Sequence, residues 1–289
     1  MKLIKPYTEI WEQAPGMEGM LRHIERCARV CYKSEDKIGE GTAEKMVQML
    51  IDKGHTAMLE HGTVYLAMPM ETIIPIEANG WGKYTKNPYS KGFKICEVNG
   101  QKRVAVTTNL RVLVENGWLD DLKYICEPTE YHERRITVRF VCDRGVSHEF
   151  VRHRVFSFAQ ESTRYCNYSK DKFGNELTFI EPCWLEDYNY DDNTYNQLFI
   201  DSLRWAEAHY LDLLKKWEDK IPDKRYKTGF RNNPWTPQQA RAILPNSLKT
   251  ELVMTGFISD WKHFFELRTA QNAHPQMREL AIPLKEMMI

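Results

Sequence analysis

Arg152-His153-Arg154-Val155-Phe156-Ser157-Phe158-Ala159-Gln160-Glu161-Ser162-Thr163-Arg164 sets three permanent or potential cations side by side, ahead of a serine and a further arginine. Successive side chains diverge by about 100° on a helix and alternate between faces on a strand. The three cations therefore cannot easily grip one small ligand from a regular element. They suit two anionic groups approaching from different sides, as when two phosphate-bearing molecules are held together. Phe150, Val151, Val155, Phe156 and Phe158 make the surroundings apolar, where unpaired guanidinium groups are costly. Gln160, Glu161, Ser162 and Arg164 add donors and acceptors suited to reading a heterocycle edge. The rival reading is a solvated, arginine-rich helix end.

Upstream, residues 135–142 alternate as a strand, and Asp143 can cap a helix running into the arginines. Downstream, Trp261, Phe264, Phe265 and Arg268 share one i, i+3, i+4, i+7 stripe, so an arginine lies on an apolar helical face. Such an arginine needs acceptors, either an internal ion pair or a bound ligand. Arg241, before Ile243-Leu244-Pro245, poses a weaker form of the same question.

Amphipathic spacing predicts helices over 19–32 and from Thr42 to near Gly54. Residues 63–68 read as a strand, residues 70–92 as irregular, and Asn99-Gly100 as the turn of a hairpin. A short helix fits 109–116 before Gly117, and a long one fits 193–220 with a broad apolar face including Leu198, Leu203, Trp205, Ala206, Tyr210 and Trp217. Further helix starts lie at Thr236-Pro237, Ser259-Asp260 and His274-Pro275. The pattern is that of one α+β domain over 1–289, with an inserted hairpin region near 70–130.

The 289 residues are 42% hydrophobic and 28% charged, as in a soluble globular protein. Forty basic residues balance forty acidic ones, which argues against a nucleic-acid polymer as partner. No apolar run reaches the ~20 residues of a membrane span, and the first residues do not read as a signal peptide. Seven scattered cysteines without a Cys-x-x-Cys fit a reduced, cytoplasmic compartment.

Several chemistries lack their residues. Gly39-Glu40-Gly41 has no third glycine, and His148 and His153 lie five apart rather than the four of a helical zinc pair. No metal site is expected. His55, Glu60 and His61 suit either a corner with hydrogen-bonded histidines or a ligand contact. A phosphate- or RNA-binding module and a hydrolytic nucleotide enzyme are the rival classes; neutral net charge disfavours the first, and the lack of a metal cluster the second.

Arg152-His153-Arg154, the seven intervening residues and Ser162 resemble the signature of flavin-dependent thymidylate synthases, and Ser162-Thr163-Arg164-Tyr165 fits its extension. The resemblance takes in Gly54-His55 through Glu60-His61, Ala240-Arg241 through Pro245, and Phe265-Glu266-Leu267-Arg268. It implies a central, mostly antiparallel sheet flanked by helices, in a homotetramer whose subunits share active sites. The implied reaction is reductive methylation of dUMP to dTMP, with FAD, methylenetetrahydrofolate and NADPH. Arg152 would then touch nucleotide and flavin, with His153, Arg154, His55, His263 and Ser259 on the FAD side. Glu149, Glu161, Ser162, Thr163 and Arg164 would line the dUMP site, Gln160 would touch both ligands, and Arg241 would reach in from another subunit. Arg268 corresponds to the arginine that ionises the uracil at N3, making it the catalytic candidate. Glu149 stands where the family often has glutamine, Gln160 where glutamate is common, Ala57 where a hydroxyl often contacts FAD, and Phe257 where a polar residue faces it. Pro182-Cys183 is followed by Trp184, so the Pro-Cys-His of a nucleophilic thymidylate synthase is absent.

Overall fold

The computed structural model describes residues 1–70, 82–98, 100–185, 194–215 and 234–288. The protein is α+β. Its strands are β1 (Lys2–Ile4), β2 (Tyr7–Trp11), β3 (Thr63–Pro69), β4 (Lys91–Val98), β5 (Gln101–Asn109), β6 (Arg135–Asp143), β7 (Ser157–Gln160), β8 (Thr178–Ile180) and β9 (Lys249–Phe257). Its helices are α1 (Gly16–Val30), α2 (Thr42–Asp52), α3 (Leu110–Asn116), α4 (Arg144–Phe150), α5 (Thr194–Leu214), α6 (Pro237–Ala240), α7 (Ile258–Arg268) and α8 (Pro275–Met288).

The strands divide among three sheets rather than joining one central sheet. An antiparallel sheet runs β2-β6-β9-β7, a second runs β3-β5-β4, and β1 pairs with β8 in parallel. The hairpin expected near 99–100 is present, with Val98 opposite Gln101. Gly100 takes φ 73°, as its turn requires, while Asn99 lies outside the described residues. This hairpin extends β3 and packs with α1, α2 and α3 around a core of Met20, Ile24, Leu59, Leu66, Val104 and Leu113.

The four-stranded sheet positions the signature. Val138 and Phe140 of β6, with Leu252 and Met254 of β9, pack on Trp261, Phe264 and Phe265 of α7. The side chains between them point to the other face. There Thr137 pairs across from Thr255, and Arg139 and Glu251 join in an ion pair. β9 was not foreseen from sequence. It is buried along almost its whole length, so polar and apolar residues alike face protein, and no apolar alternation marks it.

The polar face of the sheet meets α1. His23 Nε2 lies 2.9 Å from Thr137 Oγ1, Thr137 2.8 Å from Thr255 Oγ1, and Thr255 2.8 Å from His61 Nδ1. Burial, with Arg26 and Arg135 nearby, pushes His23 down to about 4; burial, His23 and Arg135 push His61 to about 3. Both are neutral in the fold at any pH above those values. Above about pH 6.5 the unfolded histidines are neutral too, so no linkage arises. Between about 6.5 and 4 the unfolded chain takes up protons that the native chain refuses. Stability therefore falls with acidification, by roughly 1.4 kcal/mol per pH unit for each histidine. Urea midpoints from pH 7.5 to 4.5 should drop steeply below 6.5; a flat profile would contradict the neutral pair.

Several expected elements shift. The helix capped by Asp143 forms, its carboxylate accepting from Val146 N at 2.8 Å, but it stops at Phe150 instead of running into the arginines. The chain turns there, and Phe156 packs onto β9: a Cβ at Gly256 would lie 2.3 Å from its ring. The helix at Thr236-Pro237 is a single turn followed by a 3-10 turn. In α5, Leu203, Ala206 and Tyr210 are buried as expected, while Leu198 and Trp205 are exposed; residues 193 and 216–220 of the predicted span lie outside the described residues. The same is true of 71–81 within the stretch read as irregular.

Candidate active site

Three elements converge on one arginine. Glu149 is on the last turn of α4, His153 on the turn that follows it, and Arg268 is the final residue of α7. Arg268 Nη1 donates to Glu149 Oε2 at 2.5 Å, Nη2 to the Glu149 carbonyl at 3.0 Å, and Nε to His153 Nε2 at 2.8 Å. To accept that bond, His153 must be neutral with its proton on Nδ1. Burial, then the Arg268 and His263 charges, push His153 down to about 4, in agreement with that tautomer. Phe264 supports the imidazole ring from 5.1 Å, and Phe156 from 6.3 Å. Arg268 is thus half-buried on the stripe its spacing predicted, and an internal ion pair accounts for its burial.

Arg152 and Arg154 sit differently from the expectation of an apolar enclosure. Phe150 and Phe156 turn inward, whereas Arg152, Arg154 and Val155 are exposed. Neither arginine has an ion-pair partner among the described residues.

The following segment is fixed from beneath. Gln160 donates to Ser147 Oγ at 2.9 Å and to Thr250 Oγ1 at 3.2 Å. Ser162 N donates to the Cys31 carbonyl at 3.1 Å, and Ser162 Oγ accepts from Arg164 N at 3.3 Å. Glu161 is buried, accepting from Tyr168 O–H at 2.8 Å and Lys249 Nζ at 2.7 Å. Thr163, two residues on, is buried as well. Arg164 Nε donates to Gln238 on α6 at 2.7 Å, tying the segment to the helix that ends at exposed Arg241.

Lys249 opens a network that sequence spacing gave no means to find. It holds both Glu161 and Glu251; Glu251 also meets Lys33 at 2.9 Å and Arg139 at 2.7 Å, and Arg139 meets Glu9. Burial alone would raise the Glu251 pKa, yet Lys249 and Lys33 hold it down at about 2. The partners are remote in sequence. The one local signal is Lys249-x-Glu251, which puts opposite charges on one strand face.

The expected FAD-side residues come from several elements, and His263 is near enough to His153 to act on its charge. His55 is exposed ahead of the 3-10 turn Thr56–His61, Glu60 pairs with Arg111, and His61 is the buried partner of Thr255. Ser259 Oγ donates to Glu133 at 2.5 Å and accepts from Lys91 Nζ at 2.8 Å. His263 is exposed, 3.4 Å from Glu266. A cavity of about 360 Å³ opens beside Glu149, walled by Trp184, Phe199, Asn246, Ser247 and His274. That volume lies within the usual range for small-molecule sites, roughly 300–1,000 Å³. Among the described residues no His, Cys, Asp and Glu group is arranged to hold a metal ion, and no helix is long and apolar enough to cross a membrane.

Residues 128–289, more than half of the chain, match the family described as thymidylate synthase complementing protein. The chain belongs to that family. Every site residue from Glu149 to Arg268 falls within the family match, whereas His55 and the three-stranded sheet precede it. Flavin-dependent thymidylate synthases of Mycolicibacterium gilvum (strain PYR-GCK) and Mycobacterium tuberculosis (strain ATCC 25177 / H37Ra) are each 34% identical over 139 residues, covering 48% of this chain and 51% of theirs. The chain spans about half the length of the curated relatives it matches. A crystal structure of a UMP/dUMP methylase from Streptomyces cacaoi, bound with 5-Br dUMP, is similar over 99% of this chain and 91% of its own, with a TM-score of 0.44 and 15% identity.

Proposed function

We propose that this chain catalyses reductive methylation of dUMP to dTMP, with methylenetetrahydrofolate as carbon donor and NADPH-reduced FAD as hydride carrier. The observation that carries the reading is Arg268, a half-buried cation held by Glu149 and a neutral His153 beside the exposed Arg152 and Arg154, which have no ion-pair partner among the described residues. Family membership and flavin-dependent relatives support it.

The residues present fit a flavin dinucleotide. Its diphosphate needs exposed cations, and Arg152 and Arg154 are exposed, with no ion-pair partner among the described residues. They would hold it with His55 and His263; His153 keeps Nδ1–H available for an acceptor, and Ser259 and Gln160 contribute from either side. Bound flavin supplies the redox chemistry, while the protein supplies orientation and charge.

On the nucleotide side, Glu149, Arg152 and the segment Gln160, Glu161, Ser162, Thr163 and Arg164 line the site. Arg241, exposed on one subunit, reaches the nucleotide of a neighbour in a cytoplasmic homotetramer. Arg268 lies against N3 of uracil, where a fixed cation favours the deprotonated ring and enriches C5 in electron density. Arginine suits this because it does not itself lose the proton. Ser162 positions the loop; its hydroxyl accepts from Arg164 N and, among the described residues, contacts no base that would make it a nucleophile.

Purified protein loaded with FAD should be yellow and should bleach anaerobically on addition of NADPH. A protein that takes up no FAD would overturn the reading.

A further inference from the structure

All three guanidinium nitrogens of Arg268 are engaged by its own chain. Two bonds go to fixed partners, the Glu149 carbonyl and the His153 ring. The third goes to the Glu149 carboxylate, which neutralises the charge the proposed chemistry needs. Glu149 can move away: its side chain is 30% exposed and stands on the wall of the 360 Å³ cavity. Carbonyl and imidazole would still hold the arginine in place after the carboxylate left.

We infer that Glu149 is an internal competitor for Arg268, a latch that the nucleotide must open, and hence the residue that sets nucleotide affinity. This rests on the nucleotide reading above. A ligand that meets only the unlatched arginine binds with its intrinsic affinity reduced by the unlatched fraction. Glu149→Gln keeps the shape and an amide oxygen acceptor but removes the charge that makes the bond strong. The latch then rests mostly open. The substitution acts on one population, and only through Arg268.

The test titrates FAD-loaded full-length protein with dUMP by calorimetry, or by quenching of Trp184 on the cavity wall, in four forms: the unmodified chain, Glu149→Gln, Arg268→Ala and the double variant. Glu149→Gln should bind dUMP roughly tenfold more tightly, as expected where about nine molecules in ten are latched. In the Arg268→Ala background the same change should bring no gain. Unchanged or weaker binding in Glu149→Gln overturns the latch. So does an equal gain in both backgrounds, which would mark a general repulsion between Glu149 and the nucleotide phosphate. If none of the four binds dUMP, the nucleotide reading itself fails and the latch falls with it.

Discussion

Arg268→Ala is expected to lower dTMP formation by about 10²–10³-fold, the usual effect of removing one preorganised group aimed at developing charge. In the proposed reaction the ring must carry extra electron density at C5, and Arg268, a partly buried cation, is the group proposed to stabilise it. The substitution leaves Glu149 unpaired but partly solvated, so folding should survive; a thermal melt checks this. Ser162→Ala should keep a substantial fraction of turnover, because among the described residues the Ser162 hydroxyl accepts only from Arg164 N, whereas its backbone N–H is anchored on Cys31. Single-turnover product formation, measured at saturating dUMP, separates the two roles. Equal losses in both variants, or full activity in Arg268→Ala, would contradict the assignment.

Lys249→Met should be the most damaging change away from the ligands. It strips a cation from Glu161 and Glu251, both buried, and breaking such a pair typically costs about 3–5 kcal/mol. Glu251 retains Lys33 and Arg139, so the loss falls mainly on Glu161, left with Tyr168 as its side-chain partner among the described residues. For a chain of this size Tm should drop by roughly 10 °C. Because Glu161 anchors the segment that carries Ser162 and Arg164, KM for dUMP should rise more than kcat falls, and Lys249→Arg should restore part of both. A Tm within about 2 °C of the unmodified chain, or an unchanged KM, would show that the network neither stabilises the fold nor positions the loop.

The helices were legible where one face meets the core and the other meets water. The helix read over 19–32 forms as Gly16–Val30, the short one over 109–116 as Leu110–Asn116, and Asp143 caps its helix as expected. β9 was not, because both its faces are covered and periodicity needs a contrast. The end of α4 was misplaced for a different reason. Nothing local marks the stop at Phe150, after which the chain turns and Phe156 packs onto Gly256. In the site, the apolar stripe around Arg268 pointed correctly to a half-buried guanidinium, but its partners were not readable. Glu149 and His153 reach it from 119 and 115 residues away, and only folding brings them together. The arginines at 152 and 154 are exposed rather than enclosed because the turn directs the phenylalanines inward instead.

The measurement closest to the central claim is thymidylate formation by the purified chain. Supplied anaerobically with FAD, dUMP, methylenetetrahydrofolate and NADPH, it should convert dUMP to dTMP, and omitting FAD from apoprotein should abolish the product. Flavin-loaded protein that binds dUMP yet yields no dTMP, or apoprotein that forms dTMP without FAD, would contradict the account.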